Sequence, residues 1–395
     1  MMAAMCASKP LFLPGPVALS CSCRHALLAL AVLTVAPDYS CGQAVLASQS
    51  NAHQPIAQSG HGAVATRPAA SARDPARIVR VAVVQAGTNH YAKGNPGPEA
   101  NFQVLAGEAR KAAAARPRPD VIVFPEFAIS GWPYPSEERI NPLAEPVPGD
   151  GPWYRRYRAL ARETGTAVLA WLLDLDGDRR YNTACLIDGQ GQFRGKYHKV
   201  QTTLGEQGWW GWSKGKRFEV MELDGVRYGI SICADMWFPE TVRCLELMGA
   251  DVVLHQSIGD DMERVVPTRA MDSLVPIALA IFQGGSYAVD AEGNVLGKLP
   301  SDTPGWKAFD FQPFRRSLGT KYGGRHDERQ IRHNVRNPRA YSILADPSTR
   351  PPWTEVYLDS QGRRQTREQI LRQFHGHYDA DDPDSPAPAA TAPAQ

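Results

Sequence analysis

Between residues 78 and about 300 the chain alternates short apolar runs with amphipathic or alanine-rich stretches. "IVRVAVVQA" (78–86) predicts a buried strand, and "EANFQVLAGEARKAAAAR" (99–116) a helix, because alanine-rich segments favour one. "DVIVFPE" (120–126) reads as a strand ending at Glu126, followed by a helix over "GPWYRRYRALARETG" (151–165). "TAVLAWLLD" and "YNTACLID" are strands. "VRYGISIC" (226–233) is a strand, "PETVRCLELMGA" (239–250) a helix and "DVVLHQS" (251–257) the next strand. "RAMDSLVPIALAIFQ" passes from helix to strand, and "GSYAVDAEGNVLGKL" predicts a hairpin turning at Glu292-Gly293-Asn294. The alternation points to a layered α/β domain, and no internal repeat is visible in the sequence.

The ends of the chain break this pattern. Residues 48–76 lack periodicity and are rich in Ser, Ala, Pro and Gly, as expected of a flexible linker, and 380–395 are of the same kind. Before the linker, residues 1–47 are almost free of acids and carry Arg24 and His25 ahead of "ALLALAVLTVA" (26–36). That run is too short for a membrane-spanning helix and has the length of a signal-peptide core. Pro37 disfavours cleavage after Ala36; "AVLASQS" offers Val45 and Ala47 as small residues at a better site. The expectation is an exported protein, periplasmic or secreted, or a cytoplasmic one if residues 1–47 are not a functional signal. The resulting plan is an expected signal peptide (1–47), a linker (48–76), one continuous globular domain (77–345), a C-terminal arm (346–379) and a tail (380–395).

Composition narrows the function. A net charge of +2 and no basic stripe give no footprint for nucleic acid. Of seven cysteines, Cys6, Cys21, Cys23 and Cys41 lie in the segment to be removed, leaving Cys185, Cys233 and Cys244. An odd remainder in an exported chain leaves at least one free thiol or an intermolecular bond. Neither CxxC nor HExxH occurs, so no metal site is expected.

Cys233 sits where a strand turns toward a helix that should start near Pro239 and end at Gly249. A helix N-terminus there would lower the thiol pKa and offer N–H groups to an oxyanion. A packed core cysteine fits the position equally well. Glu126, after a run of buried residues, is either a desolvated general base or a surface-loop acid. Lys199, crowded with Lys196 and His198 in "RGKYHKVQTTLGE", is either functional or part of a charged turn.

Taken together, "VFPE", "GKYHK" and "GISICADMWFPETVRCLELMGAD", in this order, resemble the carbon–nitrogen hydrolase family, the nitrilase superfamily. The resemblance continues through "IVRVAVVQA" and "GGSYAVDAEGNVL", with "RNPRAY" read as the closing segment, covering about residues 78–345. It implies a four-layer α-β-β-α sandwich and a Glu-Lys-Cys triad at three strand ends. Carried over residue by residue, Cys233 matches the nucleophile, Glu126 the general base, and Lys199 the oxyanion stabiliser, with the Ala234 N–H as second donor. Glu206 is the candidate for a second glutamate, with Glu219 and Glu222 as nearby competitors. No cofactor is implied. Subunits of such proteins usually pair through helices of the elbow region, so a homodimer or higher homo-oligomer is expected.

The resemblance implies a thiol-dependent hydrolase of non-peptide carbon–nitrogen bonds, amidase-like, acting on a small-molecule amide. Nitrile hydrolysis and acyl transfer are alternatives at the same site; a catalytically silent scaffold is the alternative from another class. Cys233-Ala234-Asp235 departs from the Cys-Trp-Glu usual in nitrile-hydrolysing members and favours amides. The stretch from Arg269 to Gly285 is shorter than in many members, which would open or reshape the pocket. A serine hydrolase through Ser286 is disfavoured because "GGSYA" lacks the G-x-S-x-G elbow. Trp237 and His255 are candidate pocket residues, His255 being equally a structural histidine. Trp209, Trp210 and Trp212 either line a substrate mouth or pack under a loop or at a subunit contact.

Overall fold

The computed structural model describes residues 74–131, 135–259 and 262–315, and shorter stretches between 318 and 365. The expected signal segment, all but the last three linker residues, most of the arm and the tail lie outside the described residues. Apolar alternation has become two six-stranded sheets. In chain order the domain runs β1 (Val79–Gln85), α1 (Pro98–Ala114), β2 (Val121–Val123), α2 (Glu137–Ile140), α3 (Pro152–Thr164), β3 (Ala167–Asp176), β4 (Arg179–Ile187) and β5 (Phe193–His198). It continues through α4 (Leu204–Gly208), β6 (Val220–Leu223), β7 (Val226–Ile232), α5 (Pro239–Leu247), β8 (Val252–Ser257), α6 (Val265–Ser273) and β9 (Ile277–Ile281). Then come β10 (Tyr287–Val289), β11 (Val295–Lys298), β12 (Gly305–Phe311) and α7 (Glu328–Val335), with shorter pieces beyond it.

The strand period of two decides the layers. Val79, Val81 and Val83 of β1 meet Tyr228, Ile230 and Ile232 of β7 in a core between the two sheets. Ala82 and Val84 face the other way, into a core with Phe102 and Leu105 of α1 and Tyr157 and Leu160 of α3. On the far side, Val253 of β8 and Ile277 and Leu279 of β9 pack with Val242 and Leu245 of α5 and Val266 of α6. The order of layers is therefore α-β-β-α.

The first sheet is ordered β12-β1-β2-β3-β4-β5 and the second β11-β10-β9-β8-β7-β6. Read from β12 and from β6, both sheets pair antiparallel, parallel, parallel, antiparallel, antiparallel. A topological repeat thus exists where the sequence shows none. The expected hairpin is β10–β11; its turn is held by the Asp290 carboxylate, which accepts from the N–H of Glu292 and Asn294. No helix among the described residues is long and apolar enough to cross a membrane.

Candidate active site

The two sheets bring together side chains from three connections, those after β2, β5 and β7, and from strand β4. β7 ends at Ile232, and Cys233 opens a single 3-10 turn, Cys233–Trp237, before α5 begins at Pro239. Cys233 has φ 46°, the left-handed region, which is costly for a residue with a Cβ and marks a strained elbow. Phe127, next to Glu126, has φ 57°. Both strained residues therefore flank the same site. Cys233 is partly buried as a residue.

Glu126 lies three residues beyond β2 and is fully buried. Its Oε1 accepts from Lys199 Nζ at 2.8 Å and from Asn182 Nδ2 at 2.8 Å. Lys199, the residue after β5, is 1 % exposed and also donates to Glu206 Oε2 at 2.9 Å. Glu206 Oε1 accepts from Asn182 Nδ2 at 2.6 Å. Of the three candidate second glutamates, Glu206 is the one bonded to Lys199; Glu219 pairs with Arg217 and Glu222 faces Arg227 at 3.9 Å. Thr203 and Glu206 form a capping box on α4, which fixes where the Glu206 carboxylate points.

Burial works against the charge on Lys199, but Glu126, Glu206 and Cys233 more than offset it and hold the ammonium well above its ordinary pKa. Burial raises the Glu126 carboxyl in spite of Lys199 and the Asn182 bond. It also pushes the Cys233 thiol well up; Glu126 adds to the rise through charge and a hydrogen-bonding contact, while Lys199 opposes it. The helix-terminus expectation of a lowered thiol pKa is thereby corrected. A 3-10 turn separates Cys233 from α5, and burial beside a carboxylate outweighs the nearby cation. Such an environment favours the protonated thiol. Glu126 Oε2 is buried without a hydrogen-bond partner.

A second polar bracket holds the elbow. The buried Asp235 accepts from its own strand at Ile232 N–H (2.9 Å), from Gln201 N–H (2.8 Å) and from the Tyr197 hydroxyl (2.7 Å). It ties the turn carrying Cys233 and Ala234 to the loop carrying Lys199. Gln256 on β8 donates across the layers to the carbonyls of Phe124 and Leu169, fixing the strand end before Glu126.

The remaining sequence candidates separate. Trp237 ends the 3-10 turn about half exposed. His255 is buried on β8, facing the α5 layer, with Nδ1 on the Ser231 hydroxyl at 2.9 Å; burial lowers its pKa to about 3. Trp210 and Trp212 are packed under their loop against Phe127, whereas Trp209 is exposed. Asn182 was missed because one polar residue in "YNTACLID" looks like ordinary strand alternation. The signals that could have found others were T-x-x-E at Thr203 and the acid two residues after Cys233.

A sequence profile described as carbon-nitrogen hydrolase matches residues 80–307. The chain belongs to the carbon–nitrogen hydrolase family. The match stops inside β12, before the segment around "RNPRAY". A nitrilase of Pyrococcus abyssi is 31% identical over 184 residues, 45% of this chain and 67% of its own. An (R)-stereoselective amidase of Pseudomonas sp. is 29% identical, covering 46% and 70% respectively. In fold, the carbon–nitrogen hydrolase is similar to the NitN amidase of Nesterenkonia sp. AN1, with a TM-score of 0.52 and 22% identity over 67% of this chain and 99% of that one. The family match and the curated relatives make the protein an amidase-like enzyme of carbon–nitrogen bonds, and the solved structure shows the shared fold.

Proposed function

We propose that this carbon–nitrogen hydrolase is a thiol amidase for a small, non-peptide amide. The observation that carries the reading is the buried Lys199, bonded to both Glu126 and Glu206, with one Glu126 oxygen unbonded and Cys233 close enough to interact with Glu126. Cys233 Sγ attacks the amide carbon as its proton moves to Glu126, and the carbonyl π electrons go to oxygen. The Lys199 ammonium and the Ala234 N–H stabilise that oxyanion. Its collapse expels ammonia or an amine, protonated by Glu126, and leaves a thioester on Cys233. Glu126 then takes a proton from water, which adds to the thioester; collapse releases the acid and the thiol. Glu206 keeps the lysine charged throughout.

Ala234-Asp235 in place of Trp-Glu supports amides over nitriles. Relatives named citrullinase (26% identical) and N-carbamoylputrescine amidase (28%) extend the substrate classes worth testing to carbamoyl compounds. Export and a homo-oligomer paired through the elbow helices complete the proposal.

The decisive experiment incubates the protein with small amides, carbamoyl compounds and nitriles, and records intact mass and ammonia release. An acyl adduct on Cys233, with turnover reduced at least about a thousandfold in Cys233→Ala, is the expected result. Turnover unchanged by Cys233→Ala would overturn it.

A further inference from the structure

The hydrogen bonds beneath the glutamates form a chain that the reaction itself does not use. Trp171 on β3 donates its indole N–H to Asn182 Oδ1 at 2.8 Å. This settles the orientation of the Asn182 amide: its oxygen faces Trp171, so its NH2 faces the carboxylates. The two N–H donors divide between Glu126 Oε1 at 2.8 Å and Glu206 Oε1 at 2.6 Å. All three of Trp171, Asn182 and Glu126 are fully buried, so water does not compete for these bonds. The backbone closes the arrangement, since the Asn182 carbonyl accepts from the Lys199 N–H at 2.9 Å.

We infer that Asn182 is a positioning residue which, by donating to Oε1 of both glutamates, fixes their carboxylates and turns the unbonded Oε2 of Glu126 to the Cys233 thiol. This rests on the proposed role of Cys233 and Glu126. An amide suits the task because it donates without carrying charge. Lys199 bonds the same Glu126 oxygen, so two donors crowd Oε1 and none reaches Oε2. A carboxylic acid at 182 would add a further acid to a site that already holds Glu126 and Glu206. Glu126 is faced by Lys199 from the loop after β5, by Glu206 from α4 and by Cys233 from the elbow, while Lys199 also acts on Asp235 of the elbow and His255 of β8. The Asn182 bond holds the Glu126 proton affinity down.

The test uses iodoacetamide on the full chain, so no natural substrate is needed. The rate of Cys233 alkylation is followed against pH by intact mass and peptide mapping. Its acid limb reports the first proton lost from the Glu126–Cys233 pair. In Asn182→Ala the limb should move to higher pH, because Glu126 loses a donor to its ionised form. In Asn182→Asp it should move further, by at least about one pH unit, since like charges disfavour ionisation. Trp171→Phe frees the amide to turn and should move the limb the same way by less; with Asn182→Ala it decides the matter if Asn182→Asp does not fold. A purely structural role would lower the rate with the limb unmoved, and coincident limbs in the folded variants overturn the inference. Wild-type protein alkylated at Cys244 but at no pH at Cys233 overturns the thiol reading instead.

Discussion

Lys199 is the residue on which the site's charge balance turns. It is a buried cation between two buried carboxylates, and removing one partner of such a group leaves uncompensated charge. Lys199→Met should therefore destabilise the fold by about 3–5 kcal/mol near neutral pH, measured by urea unfolding. The pH dependence has a definite sign. Without the ammonium, Glu126 and Glu206 confront one another, and at least one takes a folded-state pKa above the unfolded value of about 4.3. The folded variant then binds more protons than the unfolded chain, so its stability falls as pH rises through that interval. Its deficit should shrink toward acid pH; a deficit independent of pH would refute the charge account. Glu126, Lys199 and Cys233 were legible in the sequence because each stands beside a string that resembles a family motif. Asn182 was not, because its importance lies in two side-chain bonds to residues 56 and 24 positions away.

At the scale of elements, the site depends on two connections keeping their relative position: the elbow after β7 and the loop after β5. Asp235 is the bracket between them. An asparagine there can turn its oxygen to only one of the two loops. Asp235→Asn should accelerate hydrogen exchange at the Ile232 or Gln201 amide about tenfold, the equivalent of about 1.4 kcal/mol of lost hydrogen bonding. Amides that exchange at the wild-type rate would show that the bracket carries no strain. The strand-to-helix elbow was readable from Gly229, Pro239 and Gly249, because these residues govern local backbone geometry. β5 and β12 were not picked out. "FRGKYH" alternates charge with aromatic residues at a sheet edge, and "GWKAFDF" is only half buried along its length. Edge strands have weak apolar periodicity because only part of each faces a core.

For the whole molecule, closure of the first sheet joins the chain's two halves. β12 pairs with β1 over seven residues, more than two hundred positions apart, and sets Phe309 and Phe311 between the sheets. The Arg80 guanidinium pairs with Asp310 at the same seam. The corresponding edge position in the second sheet is filled locally by β6, which precedes its neighbour β7 by a two-residue turn. The topological repeat therefore has one local and one long-range closing strand, and the long-range one is the vulnerable member. Without β12, β1 would present an unpaired edge and the inter-sheet core would lose two phenylalanines, each worth about 1.5–3 kcal/mol of burial. A chain ending at residue 304 should therefore aggregate or lose its near-ultraviolet circular dichroism. One ending at residue 315 should keep both the signal and the rate of Cys233 alkylation. A folded, alkylatable protein ending at 304 would mean that the sandwich is held without its closing strand, and that the family match, which reaches only into the first residues of β12, marks the true limit of the fold.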